Sequence, residues 1–302
     1  MKISILVPLF NEFSSVKITL PNIYSAAKSL KNWWEILIIL RESKTFKRKD
    51  LSFFAGKKEV KIITTDILGK YEAIKQGLIV AKGDILIMCD GDVIPHQNAF
   101  TELEKPISMN IADITLSRPS VKKVRKHNFI SKKLESWSNI SFLIWHETRR
   151  TNKECLWALP GYLYAIRKEY VSEKIGLSII EDASIGIYAK KENARFIYAS
   201  DAVVEILPPR TLKDWIKQKI RTRVGWARLH RIYPGEVSKL NSSLNKSISI
   251  LIEREHNRSD IVSLRYFDRL MRLVADLISL SKIWKAGHWR SVKTSKYWNK
   301  YD

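Results

Sequence analysis

The sequence predicts an α/β fold, an open sheet with crossover helices, with a helical appendage added at its C-terminal end. Three observations predict it. Short β-branched runs alternate with helically spaced apolar residues through the first half of the chain. Polar or acidic residues stand directly after several of those runs, where the strand ends of an open sheet collect ligands. Beyond Pro234 the strand signals stop and an amphipathic helical pattern takes over, which divides the chain into residues 1–233 and 234–302.

The first strand is read at Ile3 to Pro8, followed by a helix over Ser14 to Leu30 in which Val16, Leu20, Ile23, Ala27 and Leu30 fall on one face. Glu35 to Leu40 is the second strand and Val60 to Thr64 the third. A helix over Lys70 to Ala81 follows, with Ile74, Leu78 and Ala81 as its apolar stripe, and then strands at Asp84 to Cys89 and Asp113 to Ser117. Pro119 to Glu154 is basic, holding nine Lys or Arg against three acids, and its helical part near Leu134 to His146 carries Trp137, Phe142 and Trp145. A shorter αβ segment spans Leu156 to Glu205, and a basic helical run extends from Thr211 to Arg231. In the appendage, Leu264, Phe267, Met271, Val274, Ile278 and Trp284 recur near helical spacing, with most of the charged residues off that stripe.

A chain of 302 residues with 45% hydrophobic content buries a substantial core and is not a disordered polymer. Its formal charge of +22 draws it toward nucleotides, nucleic acids or anionic membrane surfaces. Cys89 and Cys155 have no zinc-site or disulfide spacing, which fits a reducing, cytoplasmic compartment. No signal peptide pattern opens the chain and no run of about 18 apolar residues occurs, so contact with a membrane is expected to be peripheral, on its cytoplasmic face.

Three clusters carry chemistry. Asp90-Gly91-Asp92 directly follows the apolar strand Ile85 to Cys89. Two carboxylates flanking a residue with no side chain suit a hard divalent cation shared with substrate phosphates, although Asp-Gly is also a common turn. Glu181-Asp182 precedes the helical stretch Ala183 to Lys190, either as a helix N-terminal cap or as a general base that takes a proton from an attacking hydroxyl. The third cluster, Gln218 to Trp226, lies in a run from Arg210 to Arg231 with eight Lys or Arg and one Asp. Arginine forks there would grip phosphate and the indole of Trp226 would stack on a sugar; the plain alternative is a solvated basic helix.

In their order and spacing these pieces resemble the family-2 glycosyltransferases of the GT-A fold, a Rossmann-like mixed sheet flanked by helices. The similarity runs through Ser4 to Glu12, Gly69 to Leu78, Ala81 to Asp84, Asp90-Gly91-Asp92, Leu159-Pro160-Gly161, Glu181-Asp182, Val204-Glu205, Pro208 and the Gln218 cluster, covering about residues 1 to 230. The resemblance implies that Pro8, Asn11 and Glu12 line a nucleotide-base pocket and that Lys70 sits near the nucleotide. It implies that Asp90 and Asp92 take the diphosphate with Mg²⁺ or Mn²⁺, Asp92 being the direct ligand, and that Asp182 is the base. Gln218, Arg221 and Arg223 resemble the Gln-x-x-Arg-Trp signature that closes over donor and acceptor. The implied reaction is an inverting, single-displacement transfer from a UDP- or GDP-sugar to a hydroxyl of a glycan or lipid-linked glycan.

Two departures shape the expectation. Where many relatives end the second strand in an Asp-Asp pair that holds the base, this chain has Leu40-Arg41-Glu42-Ser43, leaving Glu42 as the stand-in. Thr222 stands where the signature places tryptophan, and no spanning helices form a polymer channel, so transfer of one or a few sugars is expected rather than processive synthesis. Three other readings stand beside this one: a basic nucleic-acid-binding protein, a sugar nucleotidyltransferase and an inactive GT-A scaffold. Acids at the strand ends repel a nucleic-acid backbone, and Asn11 to Ser14 lacks the glycine-rich loop of a nucleotidyltransferase. The amphipathic Ile261 to Trp284 stretch and the tail of bases and tryptophans after it match an anionic membrane surface, or a helix simply packed on the catalytic domain.

Overall fold

The computed structural model describes residues 1–10, 13–44, 46–67, 69–123, 128–171, 180–254 and 258–280. An eight-stranded mixed sheet in the order β3-β2-β1-β4-β7-β6-β8-β5 forms its centre. The strands are β1 (Ile3–Phe10), β2 (Trp34–Arg41), β3 (Val60–Thr64), β4 (Ile85–Cys89), β5 (Val93–Pro95), β6 (Ile114–Val121), β7 (Leu163–Arg167) and β8 (Phe196–Ile206). β1 to β4 pair in parallel, as crossover helices require. β7 then inserts antiparallel between β4 and β6, which makes the sheet mixed.

The pleat sorts β1 residue by residue. Ile3, Ile5, Val7 and Leu9 pack beneath α1 (Phe13–Ala27) and α3 (Ala99–Ser108), meeting Val16, Leu20 and Ile23 on one and Phe100, Leu103 and Ile107 on the other. Leu6 points to the opposite face, with Leu37, Ile39 and Met88, where Ile74 of α2 (Lys70–Val80) and Ile185 of α5 (Glu181–Lys191) cover it. Burying each such aliphatic side chain contributes about 1.5–3 kcal/mol, so the two faces together form the main core.

Two buried polar nodes tie the sheet at the end where the parallel strands begin. Ser4 Oγ donates to Glu35 Oε1 at 2.8 Å, and the backbone N–H groups of Lys82 and Gly83 donate to Glu35 Oε1 and Ser4 Oγ at the same distance. Burial alone would raise the Glu35 pKa, but these donors and Lys61 outweigh it and hold the carboxyl below its ordinary value. At the second node Asp113 takes Arg195 Nη2 at 2.9 Å and Arg167 Nε at 3.1 Å, and these arginine bonds likewise hold its pKa down.

A separate helical layer consists of α4 (Phe129–Thr151), α6 (Leu212–Ile232), α7 (Pro234–Glu253) and α8 (Arg258–Leu280). Asn128 caps α4 by accepting from Ser131 N at 2.8 Å, and Thr211 caps α6 by accepting from Asp214 N at 3.1 Å. The core of this layer is aromatic: the Trp137 and Trp215 rings lie 5.1 Å apart, and Phe267 of α8 stands 4.9 Å from Trp215. The appendage read from the sequence therefore packs one face against α4 and α6, burying Leu251, Ile261 and Leu264. Its other face is open, with Val262, Tyr266, Leu270 and Leu273 exposed, Tyr266 to 76%.

Candidate active site

The site lies beyond the C-terminal ends of β1 and β4. Residue Asp90 follows β4 directly, and its N–H donates to Tyr162 O at 2.9 Å, which joins the acidic turn to the loop ahead of β7. From the other side Thr19 Oγ1 of α1 donates to Gly91 O at 2.7 Å and holds the turn from behind. Between the two acid pairs stands Lys70, the first residue of α2. Its Nζ reaches Asp90 Oδ1 at 2.6 Å and Glu181 Oε1 at 2.9 Å, and donates to Gly161 O at 3.0 Å. Burial works against the ammonium charge, but Asp90, Glu181 and Asp182 outweigh it and push the Lys70 pKa well above the ordinary lysine range. The lysine is thus a permanent cation among three acids, Asp90, Glu181 and Asp182.

Asp182 is in the first turn of α5, where its Oδ1 accepts from Ala183 N at 2.8 Å. Its Oδ2 hangs over Gly161, 2.6 Å from where a Cβ on that glycine would stand, so only a residue without a side chain leaves the oxygen its place. Burial and the adjacent Glu181 charge raise the Asp182 pKa to about 7, with Lys70 opposing. Asp90 is raised to about 6, by burial first and with Asp92 adding to it, again opposed by Lys70. The Tyr162 phenol is pushed up to about 12 by burial, and Asp90, Asp92, Asp182 and Arg221 all act on it electrostatically. That one ring therefore lies within reach of both acid pairs and of an arginine on α6. The two pairs, about ninety residues apart in sequence, converge on one crevice.

Most of the residues singled out from sequence gather here. Pro8, Lys70, Asp90, Gly161 and Glu181 line a common crevice. Arg221 of α6 acts electrostatically on Tyr162 beside the crevice, and Gln218 is one turn earlier on that helix. Glu42 is exposed at the end of β2 and accepts from Arg48 N at 2.8 Å. Asn11 and Glu12 lie outside the described residues. Arg223 and Trp226 point elsewhere: Arg223 Nη2 pairs with Asp268 Oδ2 of α8 at 3.0 Å, and the Trp226 ring packs 6.4 Å from Trp145 and 6.1 Å from Trp157. Helical geometry is the reason, since a residue two positions from Arg221 is turned about 200° away from it.

Sequence reasoning passed over Tyr162 and Arg149. Arg149 is fully buried near the end of α4, stacks on Trp145 at 5.0 Å and donates from Nη2 to Ala158 O at 3.1 Å. Burial drops its pKa to about 10, with Tyr198 and Asp182 resisting. It thereby anchors the loop that carries Gly161. The available signal was its position four residues after Trp145 on a helix, which brings the two side chains together.

For a divalent cation, the protein offers the carboxylates of Asp90 and Asp92. Among the described residues no group of three or more His, Cys, Asp or Glu is arranged to hold a metal. Two hard oxygen donors fit Mg²⁺ or Mn²⁺, which take their remaining ligands from water and substrate phosphate. The negative field is already present there: Cys89 is raised well above an ordinary thiol by burial, then by Asp90 and Asp92.

Comparison with known proteins identifies the family and the fold. The profile of Glycosyl transferase family 2 matches residues 4–171. The chain is similar to an undecaprenyl-phosphate 4-deoxy-4-formamido-L-arabinose transferase of Aeromonas hydrophila, 28% identical over 94 residues, which is 30% of this chain and 29% of that protein. The match thus spans less than a third of that relative's length. Among solved structures, the mannosyltransferase PcManGT from Pyrobaculum calidifontis, in complex with GDP-Man and Mn²⁺, superposes with a TM-score of 0.63 at 15% identity, covering 93% of this chain and 88% of that one. TarS of S. aureus gives 0.51 at 15% identity, over 76% of this chain and 40% of that one. At such identities the shared feature is the fold.

Proposed function

The chain belongs to glycosyl transferase family 2, and from that membership we propose that it moves one sugar, with inversion, from a nucleoside-diphosphate sugar to an acceptor hydroxyl on a lipid-linked molecule. The observation that carries this reading is the single crevice in which Lys70 binds Asp90 on one side and Glu181 on the other, with Asp182 beside it. Asp182 takes the acceptor proton as the hydroxyl oxygen attacks the anomeric carbon. A carboxylate with a pKa near 7 is a stronger base than a solvent-exposed aspartate and is still ionised in mildly alkaline solution. Arg221 approaches from α6 to bind phosphate oxygens, and Lys70 holds the acid pairs at a fixed separation. Asp92 and Asp90 are the residues to hold Mg²⁺ or Mn²⁺, which when bound supplies positive charge to the departing diphosphate. The neighbour in complex with GDP-Man and Mn²⁺ supports both donor class and metal.

A lipid-linked acceptor is supported by two features. The curated relative is named for transfer to undecaprenyl phosphate. The exposed apolar face of α8, flanked by Arg265 and Arg269, has the form of a helix lying in a membrane interface. No described helix is long and apolar enough to cross a membrane, and we place the protein peripherally on the cytoplasmic face.

A thermal-shift screen of UDP-, GDP- and dTDP-sugars with and without Mn²⁺ tests the reading, because a bound ligand raises the melting temperature by mass action. At least one donor is expected to stabilise the wild type in a metal-dependent manner, and Asp92→Ala to remove the metal dependence. If no donor shifts the melting temperature under either condition, the proposal fails.

A further inference from the structure

α4, α6, α7 and α8 enclose a cavity of about 710 Å³ that shares no lining residue with the acid crevice. Much of its wall is apolar, including Trp145, Trp226, Leu240, Leu244, Ile248 and Leu264. Its charged lining is one-sided, with Lys219, Arg223, Arg231, Arg265 and Arg269 against Asp268. That aspartate already serves two cations: Oδ2 pairs with Arg223 Nη2 at 3.0 Å, and Oδ1 lies 3.8 Å from Lys219 Nζ. Burial pulls the Lys219 pKa down, Asp268 resists, and Arg223 adds to the fall. Among the described lining residues one carboxylate stands with several cations, which leaves a net positive field in a partly enclosed space, where charge is screened less than at an open surface.

The chemistry that answers such a lining is a phosphate attached to a chain. Arginine forks bind phosphate oxygens in bidentate fashion, and the two indoles with the aliphatic wall accept methylene groups. The volume falls within the ordinary range for small-molecule sites of about 300–1,000 Å³. Arg265 and Arg269 also border the open face of α8, where Val262, Tyr266 and Leu270 are exposed, so the cavity adjoins the surface that faces a bilayer. Arg223 and Trp226, turned away from the sugar-transfer crevice, find a role here.

We propose that this cavity binds the phosphate head and the first part of the chain of an anionic lipid, as a site separate from the one that performs transfer. It rests on the membrane-facing part of the reading above and is independent of donor binding.

Isothermal titration with dihexanoyl phosphatidic acid below its micelle concentration tests it, with dihexanoyl phosphatidylcholine and inorganic phosphate as parallel arms. The wild type is expected to bind phosphatidic acid saturably with one site per chain. Arg265→Gln/Arg269→Gln, which removes two rim cations, and Asn245→Trp, which pushes bulk into the cavity from an exposed position, are each expected to weaken binding at least tenfold. Phosphatidylcholine binding as tightly, inorganic phosphate binding as tightly, or variants indistinguishable from wild type would each overturn the proposal. The nucleotide-sugar thermal shift is run on the same proteins. Its absence from the wild type counts against the transferase reading alone, and its persistence without lipid binding counts against the lipid site alone.

Discussion

Asp182 is a base whose usefulness and whose cost come from the same burial. Its unfolded-state pKa is near 3.8 and its folded pKa about 7, so between those values the native chain holds a proton that the unfolded chain has lost. Stability therefore falls as pH rises from about 4 to 7 on account of this group, and stays low above that. Asp182→Asn, neutral at every pH, is expected to melt higher than wild type at pH 8 while turnover falls by about 10²–10⁴-fold; calorimetry and a transfer assay on one preparation check both halves. The wild-type rate should rise with pH through about 7, as the acid group loses its proton. A rate that is flat from pH 6 to 8 would remove Asp182 from the role of base. Lys70→Met is expected to do the opposite for stability. It leaves Asp90 and Glu181 enclosed without their cation, a loss of about 3–5 kcal/mol at pH 8. The deficit should shrink at pH 5.5, where Asp90, already raised to about 6, takes up a proton, and urea unfolding at the two pH values measures it.

α5 carries both late acids, so its placement decides whether the crevice exists. Gly186, on its inner face, lies so close to the loop before β7 that a Cβ there would stand 1.8 Å from Trp157 O. Gly186→Ala must push helix and loop apart, and an overpacking cost of about 1–3 kcal/mol is expected, together with loss of transfer out of proportion to the loss of stability. Denaturant melts beside a transfer assay separate the two effects. The strands that precede the acid turn were legible because β1, β2 and β4 are almost continuous apolar runs buried on both faces. β5 is three residues long and β8 is half-exposed along its first half, so neither carries a clear periodic signal. α3 went unread for a related reason, since Pro106 falls within it. The antiparallel insertion of β7 is a long-range pairing that no local pattern records. In the crevice, acids and lysine announced themselves by following strands or opening helices. Tyr162 and Arg149 matter through burial, which a sequence does not display.

At the scale of the molecule, the described residues present two surfaces of different chemistry, an acid crevice and a basic, apolar flank formed by α6 and α8. Docking through that flank is expected to recover the protein with anionic vesicles and not with neutral ones in a flotation assay, and to weaken as added salt shortens the screening length from about 10 Å at 0.1 M toward 3 Å at 1 M. Tyr266→Asp, at a position 76% exposed, should abolish recovery without lowering the melting temperature. Equal recovery with both vesicle types would show that the flank does not select by charge. Far from both surfaces, the Glu35 and Asp113 nodes fasten the ends at which the parallel strands start. Because that anchorage owes nothing to the loops at the opposite rim, rim loops other than the buried one before β7 can be exchanged without disturbing it. Grafting the rim of a relative with a different sugar preference onto this base should yield a chain that still folds, which makes the scaffold a platform for changing specificity one loop at a time.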